Sequence, residues 1–305
     1  MSKRAGIINI LKPPGMTSFD IVGYVKKILQ IRKCGHTGTL DPSAAGVLPV
    51  CINKATKVIP YLPEENKEYL AKIELGISTD TLDADGKIIK KDSLWENLKD
   101  EEIIGAIKTF TGKIMQRPPI YSAVKKKGKK LYHYARNNES VDIKKRQVEI
   151  RSIDLIYIDL PFIKIKVNCS KGTYIRSLAR DIGERLNTSA YLKDLLRTSS
   201  GPFKLKDTIR WDQISDDNLN NILIPVDQPL DYRTLTVKDY AFKYAINGTK
   251  LLAKNFKKWP FDLKLAEKLL IYSKGQFISI SEVKLNEDDN LYIQALRVFY
   301  DGGSR

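Results

Sequence analysis

The sequence contains few residues of the types that form disulfides and metal sites. Of 305 residues, three are cysteines and two are histidines. Cys34, Cys51 and Cys169 are odd in number and have no framework spacing, which argues against structural disulfides. Cys34-Gly35-His36 is one residue short of the usual zinc-ligand spacing, and a second ligand pair is missing. We therefore expect neither a disulfide framework nor a metal site.

Long apolar runs are also missing. No stretch approaches the roughly 20 apolar residues that a membrane-spanning helix needs. The apolar run at residues 7–11 is too short for the core of a signal peptide. The sequence thus predicts a cytoplasmic protein without a membrane segment.

Positive charge, by contrast, is in excess. Lys and Arg number 52 against 36 Asp and Glu, which leaves a formal charge of +16. Such a surplus favours a nucleic-acid partner, because basic side chains that neutralise phosphates release condensed counterions. A lysine-rich composition with no such partner is the alternative, and composition alone does not choose between them.

Hydrophobic periodicity predicts an α+β fold. Alternating patterns predict strands near residues 7–11, 69–77 and 147–169, and helical spacing predicts helices after Thr17 or Ser18, near 99–110 and after Thr173. We expect a mixed, mostly antiparallel sheet with helices packed on it. Pro225 to Pro229 is interpreted as a linker. It separates a catalytic domain at 1–230 from a small β-rich module at 231–305.

A glycine- and proline-rich loop holds the first candidate for chemistry. Residues 35–49 contain three glycines and two prolines, so they form neither a regular helix nor a central strand. Pro42 biases Asp41 toward an extended backbone, which presents its carboxylate within this loop. The alternative is an Asx-turn, in which Asp41 only binds nearby backbone amides. The residues alone leave both readings open.

Five motifs in order make the sequence similar to the bacterial tRNA pseudouridine-55 synthase (TruB) family. They cover roughly residues 6–230, and one departure is Ala45, where many members carry threonine. The motifs are Lys12-Pro13-Pro14-Gly15-Met16-Thr17-Ser18, Gly35-His36-Thr37-Gly38-Thr39-Leu40-Asp41-Pro42, Lys67-Glu68-Tyr69 continued by residues 79–86, residues 118–125, and Lys171-Gly172-Thr173-Tyr174-Ile175-Arg176-Ser177-Leu178 followed by Leu195-Leu196-Arg197-Thr198.

The resemblance implies a set of site residues. Asp41 would be the catalytic carboxylate, attacking the ribose C1′ or the uracil C6, or removing the 2′ proton. Arg176 would pair with it, since the carboxylate must be ionised. Tyr69 would stack on the base near the C5 proton, and His36 would occupy the space that the extruded base leaves. Tyr174 and either Leu195 or Leu196 would line the pocket, and Asp85 would lie near the substrate.

A basic segment lies within an insertion at about 117–146. Lys125, Lys129 and Lys130 belong to a lysine cluster beside Tyr132 and Tyr134, a mixture typical of RNA-binding surfaces. A solvated charged loop is the alternative. In the family this segment acts as a thumb that closes over RNA, and its presence favours direct recognition of tRNA without a guide RNA.

The implied function is a cofactor-free, monomeric isomerase that converts the uridine at position 55, in the TΨC loop of tRNA, to pseudouridine. A tRNA-folding chaperone and the same chemistry on another RNA are the alternatives. A pure binder would not need Asp41, Tyr69 and Arg176 together. Residues 271–278 resemble the start of a PUA-type RNA-binding domain, which suggests a PUA-like C-terminal module.

Overall fold

The computed structural model describes residues 4–63, 66–122, 124–126, 128–137, 139 and 141–300. In these residues the strands are β1 (Gly6–Lys12), β2 (Cys34–His36), β3 (Ala45–Ile52), β4 (Lys67–Leu75), β5 (Ile77–Thr79), β6 (Ile88–Lys91), β7 (Gly112–Gln116), β8 (Lys125–Lys126), β9 (Lys129–Lys130), β10 (Arg146–Asp159), β11 (Phe162–Cys169), β12 (Ala190–Ser200), β13 (Phe203–Lys204), β14 (Ile209–Arg210), β15 (Arg233–Thr236), β16 (Lys268–Ser273), β17 (Gln276–Leu285) and β18 (Leu291–Val298).

Helices are fewer and shorter. The α-helices are α1 (Ser18–Ile28), α2 (Asp100–Lys108), α3 (Leu131–Arg136), α4 (Ile175–Arg185), α5 (Leu219–Ile222) and α6 (Phe242–Ile246). Short 3-10 helices occur at Asn53–Tyr61, Leu94–Asn97, Leu205–Asp207, Trp211–Gln213, Asp239–Ala241 and Ala253–Asn255. Among the described residues no helix is long and apolar enough to cross a membrane.

One large sheet organises the first two thirds of the chain. Its strand order is β14-β1-β3-β12-β4-β11-β10-β7, with β2 beside β3 and β13 beside β12. Only the pairs β1–β14 and β3–β12 are parallel within this sheet. A separate four-stranded sheet follows, in the order β15-β16-β17-β18. The predicted α+β class, with its mixed and mostly antiparallel sheet, is thus confirmed.

The local signals place α1 as predicted, and they resolve its N-cap. Thr17 has extended backbone angles, and its hydroxyl accepts the Asp20 amide at 3.0 Å while the Asp20 carboxylate accepts the Thr17 amide at 2.8 Å. This capping box satisfies two amides that a helix end would otherwise leave open. Ile21, Val22 and Val25 then form the buried face of α1.

The described residues form three hydrophobic cores, two of which lie on the two faces of the large sheet and a third within the C-terminal module. In β4, Tyr69, Ala71 and Ile73 point to one face, where they pack with α1, α2 and α4. On the other face of the sheet, Val47 and Phe203 pack with Leu270 and Ile280 of the C-terminal sheet and with Phe299, which follows β18. The first core includes Tyr69, with Leu195 packed against it, and the second joins the two sheets.

The segment interpreted as a linker differs from that prediction. Val226 and Leu230 are buried and belong to the second core, and Ile224 pairs with Ile7 through two backbone hydrogen bonds. Apolar side chains on both sides of Pro225 gain by burial against β1 and the C-terminal sheet. Residues 225–229 are therefore a packed connection rather than a solvated linker.

Candidate active site

The backbone of the Asp41 loop is held from both sides. The Ser18 hydroxyl, at the start of α1, accepts the Leu40 amide at 2.8 Å and donates to the Leu40 carbonyl at 3.0 Å. On the other side of Asp41, the Lys12 ammonium donates to the Pro42 carbonyl at 3.1 Å. These contacts restrict the turn, which keeps the Asp41 carboxylate in place.

Arg197 supports the same loop from below. Its guanidinium donates to the carbonyls of Val47 at 2.7 Å, Gly38 at 3.1 Å and Thr39 at 3.3 Å. The side chain is fully buried. Gly46 allows this approach, because its φ is +116° and a Cβ there would overlap the Arg197 carbonyl oxygen. The glycine and the arginine together join the loop to β12.

Arg176, the second residue of α4, connects the loop to three other segments. Its Nε lies 2.9 Å from Asp41 Oδ2, and its Nη2 donates to Asp41 Oδ1 at 3.1 Å. The guanidinium also donates to the carbonyls of Thr81 and Tyr121, each at 3.0 Å, and its Nη1 lies 3.4 Å from Asp83 Oδ2. The side chain of Arg176 is 5% exposed. This two-point contact, a hydrogen bond from Nη2 and an ionic contact from Nε, orients the carboxylate and stabilises its negative charge.

Asp41 is expected either to present its carboxylate for chemistry or to form an Asx-turn, and the described contacts of the carboxylate decide between these two. They come from the Arg176 guanidinium rather than from nearby backbone amides, so Asp41 does not form the Asx-turn alternative. Its side chain remains 35% exposed, whereas Arg176 is buried behind it. Asp41 is therefore a held and accessible carboxylate.

The second carboxylate at Arg176 is Asp83, not Asp85. The Asp83 side chain is 8% exposed, and burial raises its pKa, opposed by hydrogen bonding from Thr81 and by the charge of Arg176. Asp85 is exposed and does not line the cavity beside Asp41. Sequence reasoning passed over Asp83 because Asp83-Ala84-Asp85-Gly86 is an ordinary turn pattern with two equivalent carboxylates.

A cavity of about 200 Å³ opens beside Asp41. It is smaller than the roughly 300–1,000 Å³ of sites for drug-sized ligands, a size that suits a single planar base. Of the two candidate leucines, the structure places Leu195 in its wall. The lining residues are Thr39, Leu40, Asp41, Lys67, Tyr69, Ser122, Gly172, Thr173, Tyr174, Ile175, Arg176 and Leu195.

Tyr174 and Tyr69 both line the cavity. The buried Gln116 side chain grips the Tyr174 backbone, accepting its amide at 2.8 Å and donating to its carbonyl at 3.1 Å, which anchors the start of α4. Tyr69 is both a core residue and a cavity residue, so its two predicted readings coexist. Burial raises the pKa of Tyr69 to about 12, opposed by the nearby Arg197 charge. Its phenol is therefore neutral at physiological pH.

His36 lies outside this cavity. It pairs with Val50 at the end of β2, and it is not among the residues that line the space beside Asp41. Burial lowers the pKa of His36, and the charges of Arg197 and Lys67 lower it further, so the imidazole is neutral. Its Nδ1 is buried and has no hydrogen-bond partner in the described part of the chain. Across that same part, no cluster of His, Cys, Asp and Glu could hold a metal ion.

The basic segment forms a small hairpin followed by a helix. Strands β8 and β9 pair in antiparallel register, with Lys125 opposite Lys130, and α3 follows directly. The Lys129 side chain is exposed. The side chains of Lys125 and Lys130 are outside the part that the structure describes, so their predicted RNA contacts stay predictions. The Tyr134 hydroxyl donates to the Lys126 carbonyl at 3.1 Å, which ties the helix to the hairpin.

Lys12 and Arg197 are buried cations that sequence reasoning did not assign to the site. Both occur in quoted motifs, but a lysine before Pro-Pro-Gly and an arginine in Leu-Leu-Arg-Thr look like surface residues. Burial lowers the pKa of Lys12 to about 8, opposed first by the charge of Asp41. The position of each cation in the sequence could have indicated its burial. Lys12 directly follows the apolar run of β1, and Arg197 directly follows two leucines of β12.

Lys12 gives the stability of the protein a measurable pH dependence. Its pKa is 10.5 in the unfolded chain and about 8 in the folded protein. Between these values the unfolded chain binds more protons, so folding becomes more favourable as the pH rises. In urea unfolding, we expect the wild type to gain up to about 1.4 kcal/mol per pH unit over Lys12→Met across this window. Parallel pH curves for the two proteins would contradict this.

Two family models together match residues 26–231 of the chain. Residues 26–175 match the TruB family pseudouridylate synthase N-terminal domain, and residues 176–231 match the tRNA pseudouridylate synthase B C-terminal domain. The chain is 40% identical to tRNA pseudouridine synthase B of Clostridium tetani, over 91% of this chain and 95% of the relative. It is 42% identical to the protein of that name from Clostridium kluyveri, over 93% and 96%.

Solved structures share the fold. The chain is similar to a protein in an H/ACA RNP bound to a substrate RNA containing 2′-deoxyuridine, with a TM-score of 0.71, 26% identity and coverage of 97% of this chain and 85% of that one. It is also similar to a chain in a Cbf5-Nop10-Gar1 complex, with a TM-score of 0.70, 28% identity and the same coverage.

The matched family models and the named relatives define the protein as an enzyme, and the arginine-held carboxylate at a small cavity is consistent with that class. The matched family models identify the class of enzyme as pseudouridine synthase. The chain belongs to the TruB family of pseudouridylate synthases. This confirms the family and the isomerase class that the ordered motifs predicted.

Proposed function

We propose that the protein converts the uridine at position 55, in the T loop of tRNA, to pseudouridine, with Asp41 as the reacting carboxylate. The observation that carries the proposal is the pairing of Asp41, about a third exposed, with the buried Arg176 in the lining of the cavity. The relatives named tRNA pseudouridine synthase B support tRNA as the substrate, since they align with more than nine tenths of the chain.

The reaction breaks the C1′–N1 bond of uridine and forms a C1′–C5 bond, and the proton on C5 is lost to solvent as N1 gains one. A held carboxylate can assist by attacking C1′, by attacking C6 or by removing the 2′ proton. The two-point contact with Arg176 suits all three, because it keeps the charge oriented while the base detaches and turns.

The target uridine reaches the cavity by leaving its stack. Extruding a base costs a few kcal/mol, which a filler in the vacated space partly offsets. His36 suits that role, because its ring is neutral and its buried Nδ1 is an open polar atom. Tyr69 and Leu195 would hold the extruded uracil, since both line the cavity beside Asp41.

Two substitutions of Tyr69 distinguish stacking of its ring on the base from assistance of proton loss by its hydroxyl. We expect Tyr69→Phe to bind tRNA normally but to lower kcat at least tenfold, because the phenol near C5 assists proton loss. Tyr69→Leu, which also loses the ring, should weaken tRNA binding as well. Single-turnover kinetics and filter binding give the two quantities. Normal kcat in Tyr69→Phe would leave the tyrosine with a packing role only.

The basic hairpin is proposed to clamp the RNA. We expect Ala at Lys125, Lys126, Lys127, Lys129 and Lys130 to raise the tRNA dissociation constant and to flatten its salt dependence. Each lost phosphate contact removes about 0.7 to 0.9 from the slope of log K against log salt. The matched control carries Ala at five other exposed lysines outside the hairpin, which are Lys27, Lys91, Lys99, Lys108 and Lys113. An unchanged slope in the hairpin variant would refute the clamp.

The chain is proposed to act alone on tRNA, as a monomer in the cytoplasm. The hairpin and α3 supply a basic RNA-facing element of the chain's own, so neither a guide RNA nor a partner protein is needed for recognition. We also place a domain boundary near residue 230. The matched models end at residue 231, and a PUA-like module would begin with β15 at Arg233.

Mapping of pseudouridine in total tRNA tests the proposal directly. Cells that lack this protein should lose the modification in the T loop of their tRNAs, and the plasmid-borne wild type should restore it. Purified protein should also modify a T stem-loop minihelix without guide RNA. Persistence of T-loop pseudouridine in the deletion strain, or loss at another RNA only, would overturn the assigned substrate.

A further inference from the structure

A second and larger cavity lies beside β1, β13 and β14, and it shares no lining residue with the cavity beside Asp41. Its volume is about 610 Å³, roughly three times that of the cavity beside Asp41. Neighbouring side chains of β1 point to opposite faces. Ile8 and Ile10 pack in the core that contains Tyr69, whereas Ile7 packs with Phe203. Asn9 has the same parity as Ile7, so its cavity is separate from the active site.

The buried floor of this cavity carries an unsatisfied polar atom. Asn9 is 3% exposed, and its Nδ2 donates to the Lys204 carbonyl at 2.9 Å. The Asn9 Oδ1 has no hydrogen-bond partner in the described part of the chain. Buried polar atoms in native proteins are nearly always paired, and a lone one calls for an explanation. With Nδ2 already engaged, Asn9 offers an acceptor that a water or a ligand N–H can satisfy.

The other lining groups extend this chemistry. Polar side chains surround the cavity, contributed by Asn9, Asp207, Thr208, Gln213, Asn221 and Gln228. The apolar part includes the buried Phe203 and the neighbouring Ile222, which suit a planar ring. No lysine or arginine is among the lining residues, and Asp207 adds negative charge. A phosphate would therefore lack a cationic partner, whereas N–H donors would find several acceptors.

We propose that this cavity binds a nucleobase that carries an exocyclic amino group, as adenine and cytosine do. The amino group would donate to Asn9 Oδ1 on the floor, and the ring would lie against Phe203. In nucleic-acid complexes the side-chain oxygen of Asn or Gln accepts from the N6 amino group of adenine, which is the half of that recognition that Asn9 Oδ1 can supply. Uracil has a carbonyl in place of that amino group. Its carbonyl oxygen and Asn9 Oδ1 are both acceptors, so they cannot form a hydrogen bond with each other. The exposed rim residues Asn221 and Gln228 leave an entrance from solvent.

Equilibrium dialysis with labelled adenosine, cytidine and uridine tests the proposal on the full-length protein. We expect adenosine and cytidine to bind with a dissociation constant on the order of 1 mM or tighter. Asn9→Leu should weaken both at least tenfold. Since that change also removes a hydrogen bond to β13, Asn221→Leu on the exposed rim provides a second variant. The matched control is Asn247→Leu, at the exposed residue that follows α6. Both cavity variants should keep wild-type pseudouridine formation.

Two outcomes would overturn the site. One is the absence of adenosine and cytidine binding, and the other is binding that both cavity variants leave unchanged. Addition of unlabelled tRNA then identifies the source of the base. Displacement of adenosine would show that a nucleotide of the RNA uses the cavity, and simultaneous binding would show that a free nucleoside does. The result is independent of Asp41, so its failure would leave the proposed reaction untouched.

Discussion

Asp41→Asn is expected to abolish pseudouridine formation while leaving tRNA binding within about twofold of wild type. The substitution keeps the size of the side chain but removes the charge that reacts. Loss of a catalytic nucleophile or base costs on the order of 10⁴-fold or more in kcat. The amide can still accept one hydrogen bond from Arg176, so the loop should stay in place. Single-turnover release of tritium from C5-labelled uridine in tRNA measures the reaction.

Asp194→Asn is the matched control, because Asp194 is exposed on β12 and lies outside the cavity lining. It should behave as wild type. Turnover by Asp41→Asn above one thousandth of the wild-type rate would remove Asp41 from the chemistry. The experiment also separates the two classes of function. An RNA chaperone that does not need the carboxylate would keep its effect on tRNA folding in this variant, while modification alone disappears.

Arg176→Met should lower both activity and stability. The guanidinium holds Asp41, Asp83 and two backbone carbonyls together, and methionine replaces none of these contacts. Breaking a buried pair by removal of one partner costs about 3–5 kcal/mol. Asp83, which is 8% exposed, would carry most of that cost, whereas Asp41 is a third exposed and contributes less. Denaturant unfolding measures the loss.

The stability difference between wild type and Arg176→Met should depend on pH. Burial raises the pKa of Asp83 above its ordinary value of 3.8. Below that raised pKa a protonated Asp83 no longer needs a cation, so the stability gap to wild type should narrow as the pH falls toward it. Adding Asp83→Asn to Arg176→Met should recover part of the lost stability at neutral pH. A gap independent of pH and of Asp83 would contradict the proposed cause.

Arg176→Lys separates charge from geometry. Lysine keeps the positive charge but cannot make the two-point contact of a guanidinium. We expect kcat to fall about 10²-fold, because small displacements of a reacting group are costly. Arg185, exposed at the end of α4, provides the matched control as Arg185→Met. Full activity in Arg176→Lys would show that charge alone suffices at this position.

Local patterns predicted much of the fold correctly, for reasons visible in particular elements. The capping residues and apolar spacing of α1 act within a few turns of chain, so they can be interpreted without tertiary contacts. The alternation in β4 and β11 likewise reports which face is buried. The connection at 225–229 was misinterpreted because its prolines mark a turn but do not reveal that Val226 and Leu230 pack against distant strands.

The candidate site divides in the same way. The sequence by itself determined the family, the enzyme class and the loop that carries Asp41, because those follow from residue types in order along the chain. Only the tertiary structure decided that Asp83 rather than Asp85 meets Arg176, that Leu195 lines the cavity and that Lys12 and Arg197 are buried beneath the loop. These contacts join segments far apart in sequence, and burial, which shifts the pKa of Lys12 and of Asp83, exists only once those segments have packed together.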